Sequence, residues 1–89
     1  MNRVELQRLG VSGDEPLSSK LALMKTRDKF IEIYQDTPTQ LRVSPKAYDD
    51  LRMFAERWEY PFGFDVKVDY DMQDGAWQVC REVENHYAI

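Results

Sequence analysis

The chain has 89 residues, of which 43% are hydrophobic and 31% charged, and its formal net charge is −4 at pH 7. A chain of this length builds one hydrophobic core, so we expect residues 1–89 to form a single domain and exclude a separate regulatory domain. No apolar run approaches the roughly 18 residues that a membrane span needs. A net acidic chain also argues against a general nucleic-acid binder, which would display a basic face.

The cysteine and histidine content bounds the chemistry further. Cys80 is the one cysteine, so no disulfide can close within the chain, and residues 1–5 lead into no stretch of signal-peptide length. We therefore expect a reducing, cytoplasmic setting. One cysteine and one histidine exclude a zinc site made within one chain, and the glycines form no phosphate loop. The sequence predicts neither a metal nor a cofactor.

The charge is divided unevenly along the chain. Residues 1–44 hold seven basic and six acidic residues, a net of +1, whereas residues 45–89 hold five basic and ten acidic residues, a net of −5. The acidity therefore belongs to the C-terminal half.

Two helices are predicted in the first half. Residues 2–9 can be capped by Asn2 and stopped by Gly10. Residues 16–35 carry apolar side chains at helical spacing, after a turn in which Asp14 can cap. The alternative for this second segment is a β-hairpin, because residues 30–34 are rich in strand formers.

The middle of the chain predicts a strand followed by a helix. Residues 40–43 alternate polar and apolar side chains as a short strand does. Ser44 and Pro45 are a strong helix start, since serine caps and proline tolerates the first helical position. An apolar stripe then extends this helix over residues 45–59.

A hairpin is predicted at the C-terminal end, with strands 64–73 and 76–84. Asp74-Gly75 is the preferred pair for a two-residue type I′ turn. The resulting register sets Lys67 opposite Glu82, and Asp69 beside Cys80. With strand 40–43 joining this hairpin, the expected architecture is α+β, a small antiparallel or mixed sheet packed against the three helices.

Candidates for catalysis are few. His86 lies near the C-terminus, and Cys80 is expected to be an unreactive thiol because a neighbouring carboxylate raises a thiol's pKa. The acidic run 69–75 has the wrong spacing for a calcium loop. We therefore expect a protein that is not an enzyme.

Two features could bind a partner. An aromatic turn follows the third helix, and exposed aromatic residues dominate interface hot spots, although these rings could instead close the edge of the core. An acidic hairpin face could present charge to a basic surface and mimic nucleic acid, or could simply keep the protein soluble. The predicted partner-binding residues are Trp58, Tyr60 and Phe62 of the turn, and Asp65, Asp69, Asp71 and Asp74 of the acidic face.

Two local resemblances bear on function. Residues 39–51 resemble the strand and first helix of ribbon-helix-helix repressors, which implies a small DNA-binding regulator. Pro61 and the β-patterned tail stand in place of that family's second helix, so direct nucleic-acid binding is not expected. A wider set of residues between 30 and 68 resembles strand-helix-strand segments of small bacteriophage-encoded and phage structural proteins. It implies an assembly component or an inhibitor of a host complex.

The sequence thus favours a non-enzymatic protein-interaction protein that docks on a larger protein or complex, in the host cytoplasm if phage-encoded. The alternative is a subunit of a homo-oligomeric or phage structural assembly, in which strand 40–43 or the hairpin edge pairs between chains. A membrane partner is not expected.

Overall fold

Four strands and two helices make up the described part of the chain, which is residues 2–55 and 63–88 of a computed structural model, with side chains for residues 5–53 and 63–84. The sheet is mixed and has the order β1-β4-β2-β3, in which β4 is antiparallel to both neighbours and β2 is parallel to β3. The predicted α+β class is confirmed. The elements are β1 (Asn2–Ser12), α1 (Lys20–Tyr34), β2 (Gln40–Val43), α2 (Pro45–Ala55), β3 (Asp65–Val68) and β4 (Trp77–Ala88).

The helices cover one face of the sheet because apolar side chains alternate along the strands. Leu41 and Val43 of β2 lie opposite Val79 and Trp77 of β4, and all four side chains are buried. Each such side chain contributes about 1.5–3 kcal/mol when it is removed from water. The core is completed by Val11, Leu17, Ala22, Leu23, Phe30, Ala47, Leu51 and Phe64.

The predicted helix over residues 2–9 is wrong, since this segment belongs to β1. All eleven residues of β1 pair with β4, from Asn2 opposite Ala88 to Ser12 opposite Gln78. The capping pattern at Asn2 is local and weak, whereas pairing with β4 provides hydrogen bonds for every second residue along the whole segment. Gly10, predicted as a helix stop, lies within the strand opposite Cys80.

Residues 20–34 form a single helix, so the helix interpretation of the second segment is confirmed over the hairpin. It starts later than residue 16 because Ser19 is the N-cap, with the Ala22 N–H donating to its Oγ at 3.3 Å. Gln35 ends the helix in the left-handed region, with φ of 57°. The buried stripe includes Leu23 and Phe30, whereas Leu21 is 61% exposed.

The strand at residues 40–43 is confirmed with its predicted bounds. So is the start of α2 at Pro45, where the Ala47 N–H donates to Ser44 Oγ at 3.1 Å. Helix α2 is described to Ala55, so the predicted continuation over residues 56–59 lies outside the described residues. Strand β2 lies inside the sheet and not at its edge, which excludes it as the strand that pairs between chains.

The predicted hairpin of strands 64–73 and 76–84 is wrong. Strand β3 ends at Val68 and pairs in parallel with β2, which separates it from β4. The 73–76 turn does form, because the Ala76 N–H donates to Gln73 O at 2.9 Å. Gly75 has φ of 83° but Asp74 does not have positive φ, whereas a type I′ turn needs both.

The register therefore differs from the prediction. Lys67 lies opposite Arg42, not Glu82, and Cys80 lies between Gln40 and Gly10.

Beyond the sheet, β1 and β4 continue as a two-stranded ribbon. Strand β2 pairs with β4 only over residues 77–80, so residues 81–88 of β4 pair with β1 alone. Eight residues of strand extend about 27 Å at roughly 3.4 Å each. The described chain accordingly measures 49 × 27 × 21 Å, with a radius of gyration of 14.3 Å, against about 12 Å for a compact domain of this length.

Candidate protein-interaction surfaces

The residues predicted to bind a partner do not form one surface in the described structure. Trp58, Tyr60 and Phe62 of the aromatic turn lie outside the described residues. Of the acidic residues, Asp65 belongs to β3, and Asp69, Asp71 and Asp74 lie in the connection between β3 and β4. No hairpin face joins these four residues, because their segment does not fold back on β4.

Asp69 organises the chain after β3. Its Oδ2 accepts from Arg42 Nη2 at 2.8 Å, its Oδ1 accepts from the Asp71 N–H at 3.0 Å, and its own N–H donates to Val43 O at 2.8 Å. The Arg42 hydrogen bond, followed by that of Asp71, lowers the pKa of Asp69 below its ordinary value. This carboxylate is therefore engaged within the fold. Asp65 also has a partner within the fold, because its Oδ2 lies 3.2 Å from Lys67 Nζ.

Asp74 belongs to a different acidic feature, which we call the acidic cleft. It is a cleft of about 320 Å³ between the β1–α1 connection, the first two turns of α2 and the 74–75 turn. Lys46 is the one base in its lining, and its Nζ is 3.6 Å from Asp50 Oδ1. The acids that line the cleft are Asp14, Glu15, Asp50 and Asp74.

Ser44 fixes one wall of the acidic cleft. Its Oγ accepts from the Gly75 N–H at 3.0 Å as well as from Ala47, and its side chain is fully buried. The 74–75 turn is thereby tied to the start of α2. The sequence contained every acid of this cleft, but their convergence depends on three separate segments and has no local pattern.

The outer edge of β1 is the second surface. The Gly13 N–H donates to Trp77 O at 3.0 Å, so odd-numbered residues of β1 direct their backbone groups at β4. Even-numbered residues direct their backbone N–H and C=O groups outward. At Leu6 and Arg8 these groups have no hydrogen-bond partner among the described residues. At Gly10 the outward carbonyl is occupied, because Tyr34 Oη donates to it at 3.3 Å.

Monomeric proteins protect such an edge with charged side chains, above all lysine, or with proline or a bulge. Strand β1 carries charges at Arg3, Glu5 and Arg8 but contains neither lysine nor proline, and its register with β4 is continuous. Leu6 is 67% exposed on the sheet face opposite the helices. Sequence reasoning missed this edge because it assigned residues 2–9 to a helix. The alternation of apolar and polar residues from Arg3 to Leu6 is the signal that indicates a strand.

The candidate catalytic residues gain no support from geometry. Cys80 is fully buried, and burial raises the pKa of its thiol. Its Sγ lies 3.9 Å from Gln40 Oε1, so the predicted neighbour Asp69 is wrong. His86 pairs with Val4 through the backbone, and its side chain lies outside the described part. Within the described ranges, no three His, Cys, Asp or Glu side chains are grouped as metal ligands.

Neither described helix has the length and apolar character of a membrane span. Comparisons with protein-family models, with curated proteins and with solved structures give no match for this chain. The resemblances to phage proteins and to ribbon-helix-helix repressors therefore stay predictions from the sequence.

Proposed function

We propose that this is a non-enzymatic protein-interaction protein whose docking site is the outer edge of β1. The observation that carries the proposal is the set of outward backbone groups at Leu6 and Arg8, which have no partner among the described residues. A partner that supplies an extended segment can pair with these groups and add a strand to the sheet. Backbone hydrogen bonds would then provide affinity, and the exposed Leu6 side chain would provide an apolar contact.

The acidic cleft supports a partner that also carries a basic group. Three of its four carboxylates lie near a lysine: Asp50 near Lys46, Glu15 near Lys25 and Asp14 near Lys29. Asp74 is the lining acid that has no ion pair among the described residues. A local excess of negative charge attracts a basic surface and orients it during encounter, and salt screens this attraction. The cleft therefore takes the orienting role that the sequence had predicted for an acidic hairpin.

The docking edge is tested by two proline variants of the intact chain. Leu6→Pro removes an outward N–H and leaves the bonds between β1 and β4 in place. Glu82→Pro is the matched control. The Thr39 N–H donates to Cys80 O at 3.0 Å, so the backbone groups of even-numbered residues in β4 point toward β2. Because β2 pairs with β4 only as far as Cys80, the Glu82 N–H has no strand partner to lose.

We expect wild type and Glu82→Pro to capture the same partner from the native host and Leu6→Pro to lose it. In the purified complex, amide exchange should slow at Leu6 and Arg8, the outward positions. Equal capture of that partner by Leu6→Pro and wild type would overturn the assignment of the docking edge.

The orienting role of the acidic cleft has its own test. Asp74→Lys changes a cleft acid, and Asp71→Lys makes the same charge change at an exposed site that does not line the cleft. We expect Asp74→Lys to slow association with the captured partner more than Asp71→Lys does at low ionic strength, and the two rates to converge at high salt. Equal rates at low salt would contradict the role of the cleft.

A further inference from the structure

We infer that the strand added to β1 is β1 of a second copy of this chain, antiparallel to the first, with a two-fold axis through Leu6. This inference rests on the proposed docking edge and names its occupant. The ribbon formed by β1 and β4 gives the first reason. A two-stranded ribbon is only marginally stable in water, whereas a sheet of three or more strands can be stable. Pairing two β1 strands makes the ribbon four-stranded.

The open backbone groups select the position of the axis. Groups of even-numbered residues point outward, and the Gly10 carbonyl is occupied by Tyr34. The outward positions before Gly10 are residues 2, 4, 6 and 8. With the axis at Leu6, Leu6 pairs with Leu6 of the second copy and residue 4 pairs with Arg8. Residue 2 then lies opposite Gly10, whose carbonyl is occupied. Each such pair exchanges two hydrogen bonds.

Other registers that keep the two sheets facing the same way are less favourable. An axis at Glu5 places two Glu5 carboxylates directly opposite each other, which is destabilising. An axis at Gln7 pairs residue 4 with Gly10, so the carbonyl that Tyr34 holds lies inside the paired stretch and not at its last pair. An axis at Val4 shortens the pairing and leaves Arg8 without a partner. The axis at Leu6 meets the Gly10 carbonyl only at the last pair, opposite residue 2, and it avoids the other two penalties.

The side chains agree with this arrangement. Val11 and Leu9 of β1 lie on the helix side of the sheet, so Leu6 lies on the other side. A two-fold axis perpendicular to the sheet keeps both pairs of helices on one side and brings the two exposed Leu6 side chains together on the other. The edge of β4 beyond Cys80 is less suited to self-pairing, because a second β4 would crowd two copies of Glu82 and Glu84 on one strand pair.

The first test is the mass of the intact protein by light scattering over a range of concentrations. One chain has a mass of 10.6 kDa, and we expect the wild type to rise from this value toward twice it. Leu6→Pro should weaken the dimer about tenfold or more, because it removes hydrogen bonds at the two-fold axis. Glu82→Pro should dimerise as the wild type does.

A second variant covers the case in which Leu6→Pro fails to fold. Leu6→Lys retains the N–H but places two ammonium groups opposite each other at the axis, so it should also dissociate the dimer. Leu21→Lys is its control, since Leu21 is similarly exposed but lies on α1. A wild-type dimer that Leu6→Lys and Leu21→Lys weaken equally would overturn the inference.

Cross-linking tests the register directly. Hydrogen-bonded antiparallel residues have Cα atoms about 5.5 Å apart, which a disulfide can span. Leu6→Cys should form a covalent dimer rapidly on mild oxidation, and Leu21→Cys should not. Equal rates would contradict the axis at Leu6.

The two proposals can fail separately. The wild type could stay at 10.6 kDa at every concentration while Leu6→Pro abolishes capture of another protein. That result would overturn the pairing of two copies and leave the docking edge as the binding site of a different partner. If Leu6→Pro affects neither mass nor capture, both proposals are wrong.

Discussion

Arg42 Nη2 and Asp69 Oδ2 are 2.8 Å apart and join residues that are 27 positions apart in the sequence. Arg42 lies within β2, and Asp69 begins the connection after β3. This pair therefore fixes the direction in which the chain leaves the parallel strand. Arg42 Nε is buried without a hydrogen-bond partner among the described residues, so its guanidinium depends on Asp69 all the more.

Asp69→Asn should lower the unfolding midpoint more than Asp71→Asn, whose side chain is exposed. The folded-state pKa of Asp69 lies below its ordinary value of 3.8. Its contribution is therefore fully present above that value and is lost as the pH falls through the folded-state pKa. Urea unfolding of wild type and Asp69→Asn should differ at neutral pH and converge in acid. A difference that persists unchanged in acid would contradict this assignment.

Ser44→Ala should lower the free energy of unfolding by about 1–3 kcal/mol. The loss removes the cap of α2 and leaves the Gly75 N–H without its acceptor. Ser19→Ala is the matched control, because Ser19 caps α1 at an exposed site and its Oγ accepts one hydrogen bond, from the Ala22 N–H. Its loss should lower the free energy of unfolding by about 0.5–1 kcal/mol. Urea titrations of both variants measure the comparison, and an equal cost would show that the bond to Gly75 adds nothing.

The elements that the sequence predicted correctly are those decided by neighbouring residues. Ser44 caps α2 through the residue three positions later, and β2 follows a four-residue alternation. Strand β1 depends on β4, a partner more than 60 positions away, and no local pattern identifies such a partner. The parallel pairing of β3 with β2 likewise depends on the crossover through α2.

The candidate surfaces follow the same rule. The acids of the predicted binding face were all visible in the sequence, but the structure separates Asp69, held by Arg42, from Asp74, which lines the acidic cleft. The docking edge at Leu6 could not be found while its segment was assigned to a helix. Surfaces made from distant segments need the topology before their residues can be grouped.

Gly13→Ala should lower the free energy of unfolding by about 1–3 kcal/mol through overpacking. A Cβ at this position would overlap the Trp77 ring, which is buried and donates from Nε1 to Glu15 O at 2.7 Å. Gly10→Ala is the control, because its Cβ would approach the flexible end of Gln78 at 3.1 Å, and we expect a change within about 0.5 kcal/mol. Thermal unfolding of the two variants decides between them. A tolerated Gly13→Ala would show that the ring of Trp77 can move.

Tyr34→Phe should lower the free energy of unfolding by about 0.5–1.5 kcal/mol, because it removes the hydrogen bond from Tyr34 Oη to the Gly10 carbonyl. Tyr48→Phe is the matched control, since Tyr48 also packs against the core but its hydroxyl has no partner among the described residues. Urea unfolding should show a smaller change for Tyr48→Phe, within about 0.5 kcal/mol.

The same variant separates the stability of one chain from its pairing. Tyr34→Phe opens an additional outward carbonyl at Gly10 and leaves Leu6 and Arg8 unchanged, so light scattering should show a dimer at least as strong as that of the wild type. An axis at Gln7 also becomes free of its obstacle, and disulfide formation by Leu6→Cys should slow in this background as chains redistribute between registers. Loss of the dimer in Tyr34→Phe would mean that Tyr34 supports the interface and does not limit it.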